Sequence, residues 1–519
     1  MNIKRAHLKT CKWMLKKEEY LDWLDERKIR EHGGFLWIRG NPGAGKSTMM
    51  KFISDASQKK RAHPTTLDFF FNARGHDLEK STTGLYQSIL FQLLTRFPSL
   101  QDILDYSRLF ENGTPRQWTN DLLKELIERV IENLTSSVVC YIDALDECQD
   151  DHIRDMIRFF ERLGQLAIST GVGFYVCFSS RHYPHISMRE GLGLEITLEK
   201  QQNHGDDIRQ YVDSELAIGH GKLADEIKSE LLEKASGVFM WAVLVVKILN
   251  EERDRGRKHK LRQKLREIPK DLHDLFRSIL SQHHNNKEEL LLCFQWILFS
   301  KRPLTLVELH VAILSQTDDP TRVDPQDFTE EDSRIFLLES SKGLAEVANS
   351  KSPTVQLIHE SVKDFLLKDN GLRSLFNDLN DNLPGQSHIQ LRDCCHLYIK
   401  QGYHGRWRGP KSHMEKLRQA FPLMEYATNS LLFHANAAGS LGVNQSDFLH
   451  EFQRHRWVYL HNLFEKFHSR CYDPQIDLLY ILAEANAPSL VEEYTSPEDC
   501  LTTDCLTTGL GRYGSPLLA

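Results

Sequence analysis

Gly40-Asn41-Pro42-Gly43-Ala44-Gly45-Lys46-Ser47 fits the pattern G-x-x-x-x-G-K-S in full. Phe35-Leu36-Trp37-Ile38 directly before it reads as a buried strand, and Thr48–Ile53 after it as the start of a helix. That is the strand–loop–helix setting a phosphate-binding loop requires. The glycines let backbone N–H groups turn inward around phosphate oxygens, and the helix N-terminus adds the positive end of its dipole. Lys46 offers a mobile charge for β- and γ-phosphates, and Ser47 a hydroxyl for Mg²⁺. Gly40, Asn41, Pro42, Gly43, Ala44, Gly45, Lys46, Ser47 and Thr48 are therefore the candidate nucleotide contacts. The bland alternative is a glycine-rich turn beside a solvated lysine, and the flanking strand and helix argue against it.

A phosphate loop needs a metal-binding carboxylate at the end of a neighbouring strand. Val138-Val139-Cys140-Tyr141-Ile142 is apolar throughout and ends in Asp143, which makes Asp143 and Ser47 the candidate Mg²⁺ ligands. Asp146 and Glu147 follow at once. A carboxylate just beyond the metal ligand can orient or deprotonate an attacking water, so both are candidate catalytic residues. Acids at strand ends also cap helices, which is the competing reading for Glu147. A third apolar run, Phe174–Phe178, leads into Ser179-Ser180-Arg181, and Arg181 is placed to read a γ-phosphate.

Working outward, Gly34–Arg39, Leu67–Phe71, Val138–Ile142, Phe174–Phe178 and Leu194–Leu198 alternate with amphipathic segments such as Ser81–Arg96 and Asp121–Asn133. Alternating strands and helices predict an α/β core with a mostly parallel sheet covered on both faces. Past about residue 200 the strand signal fades, and Ile208, Tyr211, Val212 and Leu216 form one helical stripe. Pro303 and 318–325 punctuate a further unit near 271–370, and the polar stretch 377–385, with Pro384, reads as a linker to a last helical unit at 388–495.

The chain has 519 residues, 40% hydrophobic and 26% charged, with 65 basic against 72 acidic residues and a net charge of −7. Such a composition is globular rather than disordered, is too long for one core, and lacks the bulk basic footprint of a nucleic-acid binder. The 10 cysteines include no CxxC pair, so a reduced, cytoplasmic setting is expected. The longest apolar run, Val238–Val246, is well short of the ~18–20 residues that span a bilayer.

The set Gly40–Thr48, Asp143-Ala144-Leu145-Asp146-Glu147-Cys148 and Ser179-Ser180-Arg181 resembles the NACHT-type P-loop NTPases of fungi. These belong to the STAND class of NLR-like signalling switches and are relatives of the heterokaryon-incompatibility proteins. Thr10-Cys11-Lys12-Trp13 and Tyr20-Leu21-Asp22-Trp23-Leu24 resemble the same family's lead-in. Ala235-Ser236-Gly237-Val238-Phe239-Met240-Trp241 resembles the start of its helical lid. Ile358-His359-Glu360-Ser361-Val362-Lys363-Asp364-Phe365-Leu366 resembles the winged-helix motif whose histidine touches the β-phosphate of bound ADP. Ala144 stands where many members have Gly, and Phe239 where many carry a proline that packs on the base.

The resemblance implies a lead-in at 1–33, a P-loop NTPase core at 34–199, a helical lid at 200–270 and a winged-helix-like unit at 271–370. It further implies that ATP/ADP and Mg²⁺ are the cofactors, with GTP as the alternative nucleotide. His359 would sense ADP, hydrolysis would be slow, and exchange for ATP would expose a face that forms homo-oligomers. A fast-turnover motor and a non-hydrolysing scaffold are the alternative readings. Only 39 residues precede Gly40, so an effector is expected in trans or on a longer chain. Tyr513-Gly514-Ser515-Pro516-Leu517-Leu518-Ala519 resembles the opening of an ankyrin repeat, which marks 497–519 as the start of a truncated one. Arg253–Arg266 holds eight basic residues and reads as a solvated helix rather than a DNA-facing patch. Cys394-Cys395-His396 lacks metal-ligand spacing and reads as helix packing.

Overall fold

The computed structural model describes residues 6–7, 10–59, 64–73, 77–103, 110–111, 114–115, 118–148, 153–182, 192–281, 287–317, 324–348, 353–368, 370–376, 381–402 and 414–495. The chain divides into two compact units, Met1–Leu275 and Phe276–Ala519.

In the first unit, β1 (Phe35–Arg39), β2 (Thr65–Phe70), β3 (Val138–Asp143), β4 (Phe174–Ser180) and β5 (Leu194–Thr197) form one sheet in the order β2-β3-β4-β1-β5. Every pairing in it is parallel. The apolar runs alternate faces as the period of two demands. Phe35, Trp37, Cys140, Ile142, Val176 and Phe178 join one core, and Leu36, Ile38, Val139, Tyr141, Tyr175 and Cys177 the other. Burial on both faces is why these strands read as continuous apolar runs.

The second of these cores is covered by the lead-in. Trp23, on α1 (Glu18–Leu24), is fully buried there and donates its indole N–H to Gly34 O at 2.7 Å. The Tyr20 and Tyr141 hydroxyls are 3.0 Å apart. Met49, Met50 and Ile53 of α2 (Lys46–Lys59) complete that layer. The opposite layer comes from α3 (Thr82–Arg96), α4 (Asn120–Glu132) and α5 (Ile153–Thr170). Ser81 and Thr119 cap the first two through their side chains.

Past the sheet come α6 (Gln202–Glu215), α7 (Lys222–Ala235), α8 (Phe239–Asp254) and α9 (Leu261–Glu267). The basic stretch 253–266 is not one helix, contrary to expectation. α8 stops at Asp254, Gly256 takes a φ of 76°, and a short turn precedes α9. Many of its cations are paired: Arg255 with Glu252 at 3.0 Å, Arg262 with Glu226 at 3.0 Å.

The second unit opens with α10 (Lys287–Phe299), α11 (Leu306–Thr317) and α12 (Glu330–Ser340). An antiparallel hairpin of β6 (Ala345–Val347) and β7 (Val355–Leu357) leads into α13 (Glu360–Leu367). Then follow α14 (Leu383–Gly402), α15 (Met424–Ser440), α16 (Arg454–Phe464), α17 (Leu478–Glu484) and α18 (Pro488–Thr495). The expected linker ends early, because α14 already starts at Leu383. Pro384 sits in its first turn, where proline's missing N–H costs no hydrogen bond. A single apolar cluster runs from Leu292 through Val355 and Leu431 to Leu490, so the segments 271–370 and 388–495 share one core. Cys394 and Cys395 are buried in it, and the described cysteines are all free thiols. Among the described residues no helix is long and apolar enough to cross a membrane. The expected repeat opening at 497–519 lies outside the described residues.

Candidate functional site

The loop Gly40–Ser47 joins the C-terminal end of β1 to the first turn of α2. Gly43 and Gly45 take φ values of 77° and 96°, conformations that side-chain-bearing residues rarely adopt. Lys46 bends back under the loop and donates to Gly40 O at 2.8 Å and Asn41 O at 3.1 Å. Its withdrawal from water lowers the ammonium pKa, while Asp146, Asp143 and Glu199 pull it back up against the push of Arg181. A desolvated ammonium whose hydrogen bonds go to neutral carbonyls gains strongly from an incoming phosphate.

Asp143 ends β3 with no exposed surface. The Ser179 hydroxyl donates to its Oδ1, and Ser179 Oγ accepts from Ala144 N at 2.9 Å. Its Oδ2 is buried with no hydrogen-bond partner. Burial raises the pKa of this carboxyl, with the Ser179 and Ser47 hydroxyls and the Lys46 charge opposing. An orphaned buried carboxylate oxygen is costly, and a divalent cation would satisfy it. Ser47 and Asp143 therefore fit Mg²⁺.

Asp146 and Glu147 have different surroundings. Arg181 grips Asp146 twice, Nε to Oδ2 at 2.7 Å and backbone N–H to Oδ1 at 2.9 Å. Glu147 Oε2 accepts from Ala73 N at 3.1 Å, just past β2. Arg181 follows β4, so the loop Gly40–Thr48, Asp143, Asp146, Glu147 and Arg181 come together at the C-terminal edge of the sheet. Ligand sites of open α/β sheets lie at that edge.

The helical segment touches the loop. Met240 N donates to Gly43 O at 2.9 Å, and a Cβ on Gly43 would meet Met240 Cβ at 2.9 Å. Phe239 packs its ring 5.2 Å from that of Tyr211 on α6. The lead-in is pinned to the same helix: Asp207 Oδ2 accepts from Cys11 N at 2.8 Å and from Trp13 Nε1 at 2.9 Å. Burial raises the Asp207 pKa, and those two donors hold it down.

His359 lies in the second unit as the N-cap of α13, where its Nδ1 accepts from Ser361 N at 3.0 Å. A backbone N–H can only donate, so Nδ1 is unprotonated and the proton of the neutral ring sits on Nε2.

Residues 9–181, from the lead-in to Arg181, match the family described as nephrocystin 3, N-terminal. The match supports a NACHT-type NTPase. The chain is also 26% identical, over 375 residues, to the vegetative incompatibility protein HET-E-1 of Podospora anserina. That match takes in 68% of this chain and 26% of that protein, so the chain spans about a quarter of the length of the curated relative it matches. Two solved structures align loosely, each with a TM-score of 0.33. They are the Aeropyrum pernix Orc1 protein in complex with DNA (13% identity, 70% of this chain, 98% of that one) and Cdc6p from Pyrobaculum aerophilum (15%, 71% and 96%).

Within the matched residues, Ala144 has a φ of 57°, a left-handed conformation that glycine adopts more readily. Three residues of the site escape a reading of the sequence. Ser179 lies inside a legible motif, yet nothing in the motif says that it holds Asp143. Asp207 and Glu199 lie far along the chain from the segments they hold, and no local spacing signals either.

Proposed function

We propose that the chain is an ATP- and Mg²⁺-dependent signalling switch that holds ADP at rest, exchanges it for ATP and then assembles into homo-oligomers. The observation that carries this reading is the site at the sheet edge. A desolvated Lys46 donates to the loop's own carbonyls, Asp143 Oδ2 is buried without a hydrogen-bond partner, and the helical lid rests on Gly43. Similarity to a vegetative incompatibility protein supports a signalling rather than a metabolic role.

In this reading the backbone N–H groups of residues 43–48 and the Lys46 ammonium bind the phosphates. Bound Mg²⁺, held by Ser47 and Asp143, would neutralise phosphate charge. Glu147 orients the attacking water and accepts its proton, while Asp146 holds Arg181 in place to read the γ-phosphate. A base tied to Ala73 and an arginine tied to Asp146 suit slow hydrolysis better than rapid cycling. His359 senses ADP through its Nε2–H. Nucleic acid is disfavoured as a partner by the net charge of −7, which leaves no bulk basic footprint.

The test is to denature the purified protein and identify the released nucleotide, which should be ADP. Lys46→Ala should release none. Equal nucleotide affinity in that variant and the wild type would remove the phosphate-loop assignment. His359→Asn keeps an N-cap acceptor but removes the Nε2–H, so ADP should dissociate faster. An unchanged ADP off-rate would reduce His359 to a helix cap.

A further inference from the structure

We infer that Glu199 is a positioning residue that couples the phosphate loop to the lid, an inference that rests on the phosphate-loop reading above. Glu199 lies just past β5, and three segments meet on its side chain. Asn41, second residue of the loop, donates its N–H to Oε2 at 3.3 Å. His182, directly after Arg181, places Nε2 2.5 Å from Oε1. Gly237, two residues before α8, lies against its stem: a Cβ at 237 would sit 2.8 Å from Glu199 Cβ and 3.1 Å from Glu199 Cα. Gly237 also has a φ of +79°, so both the contact and the backbone demand glycine there. A Cβ on Gly40 would come within 2.9 Å of Oε2, so the carboxylate lies against the first residues of the loop while its stem lies against the lid.

This arrangement has a mechanical reading. The carbonyls of Gly40 and Asn41 hold Lys46, so fixing the Asn41 backbone fixes where the ammonium points. Behind Glu199 lies a cavity of about 530 Å³ that Gln201, Asp206, Arg209, Glu233 and Gly237 also line. When the lid lifts Gly237 away, the carboxylate gains room to swing toward that cavity and release Asn41. When the lid is seated, it is confined to the loop. His182 carries the same link to the segment that bears Arg181. Glu199 touches no substrate in this scheme; it sets how tightly the loop is held.

The test is the dissociation rate of a fluorescent ADP from the full chain. Glu199→Ala should release it about tenfold faster, the loss expected for one hydrogen bond to a charged group. Glu199→Gln, whose amide oxygen still accepts from Asn41, should stay within about threefold of wild type. Gly237→Ala should match Glu199→Ala, and the double variant should be no faster than either alone, because both break one link. An off-rate in Glu199→Ala within twofold of wild type, or additive effects in the double variant, would overturn the coupling. Lys46→Ala separates the two readings. If it keeps ADP, the phosphate loop itself is misassigned. If it loses ADP while Glu199→Ala behaves as wild type, only the coupling falls.

Discussion

Lowering the pH from 7.5 to 5 should unfold much of the second unit, because that unit keeps several histidines neutral by burying them. His310, between Phe328 and Phe336 with Nδ1 2.9 Å from Ser333 Oγ, is pushed down to about 4 by burial. His388 and His396 are likewise lowered to about 4 by burial. His396 Nε2 has no hydrogen-bond partner at all. His434 is fully buried between His388 at 3.0 Å and the Tyr426 hydroxyl at 2.9 Å, and burial lowers it well below the usual imidazole value. For each group the unfolded chain binds more protons than the folded one between about pH 6.5 and the lowered value, so stability falls as the pH falls through that window. With an unfolded value of 6.5 and a folded value of about 4, each of the three costs about 2 kcal/mol on going from pH 7.5 to 5. Together they remove about 6 kcal/mol, comparable with a whole domain's stability of about 5–15 kcal/mol. The assay is urea unfolding at pH 7.5, 6 and 5, with mass spectrometry of protease-accessible segments reporting on residues 287–495. His396→Leu should recover about 2 kcal/mol at pH 5. A change below about 1 kcal/mol between pH 7.5 and 5 would mean that these rings reach water and titrate as ordinary imidazoles, and the argument would fail.

Glu147→Gln should still bind ATP while turnover falls about 100-fold; undiminished steady-state hydrolysis would give the water to another group. Ser179→Ala strips Asp143 Oδ1 and the Ala144 N–H of their shared partner, which should cost about 1–3 kcal/mol. A thermal midpoint equal to wild type would contradict that network. Ala144→Gly relieves a left-handed backbone and should stabilise the first unit by about 0.5–1 kcal/mol, and a drop in stability on chemical denaturation would count against it.

Much of the sheet was legible because its strands are buried on both faces, which turns position into an unbroken apolar run. The loop was legible because phosphate chemistry demands particular residues at fixed spacing. Asp143 followed from the same logic, as the acid ending a strand beside that loop. What remained hidden depends on contacts between distant segments. Asp207 holds Cys11 and Trp13 from 196 and 194 residues away, and a solvated aspartate on a helix would look the same in the sequence. Glu199 reaches Asn41 across 158 residues. Arg253–Arg266 misled as one helix because charge was weighed there and Gly256, a strong helix breaker, was not. Pro384 misled in the opposite direction, since proline breaks a helix interior but suits its first turn.

The apolar cluster that runs from Leu292 to Leu490 ties the described helices it includes into one packed body. Leu391 and Cys394 of α14 belong to the same packed interior as Leu309 of α11 and Val355 of β7. A body packed to that density does not bend in its middle; it turns as a lever arm. A tilt imposed at α11 is therefore carried through that interior to α17 and α18, and grows with distance from the pivot. An ångström of adjustment at one end of that interior would reappear as several ångströms at the far helices. The size of such a displacement is thus set by the length of the arm.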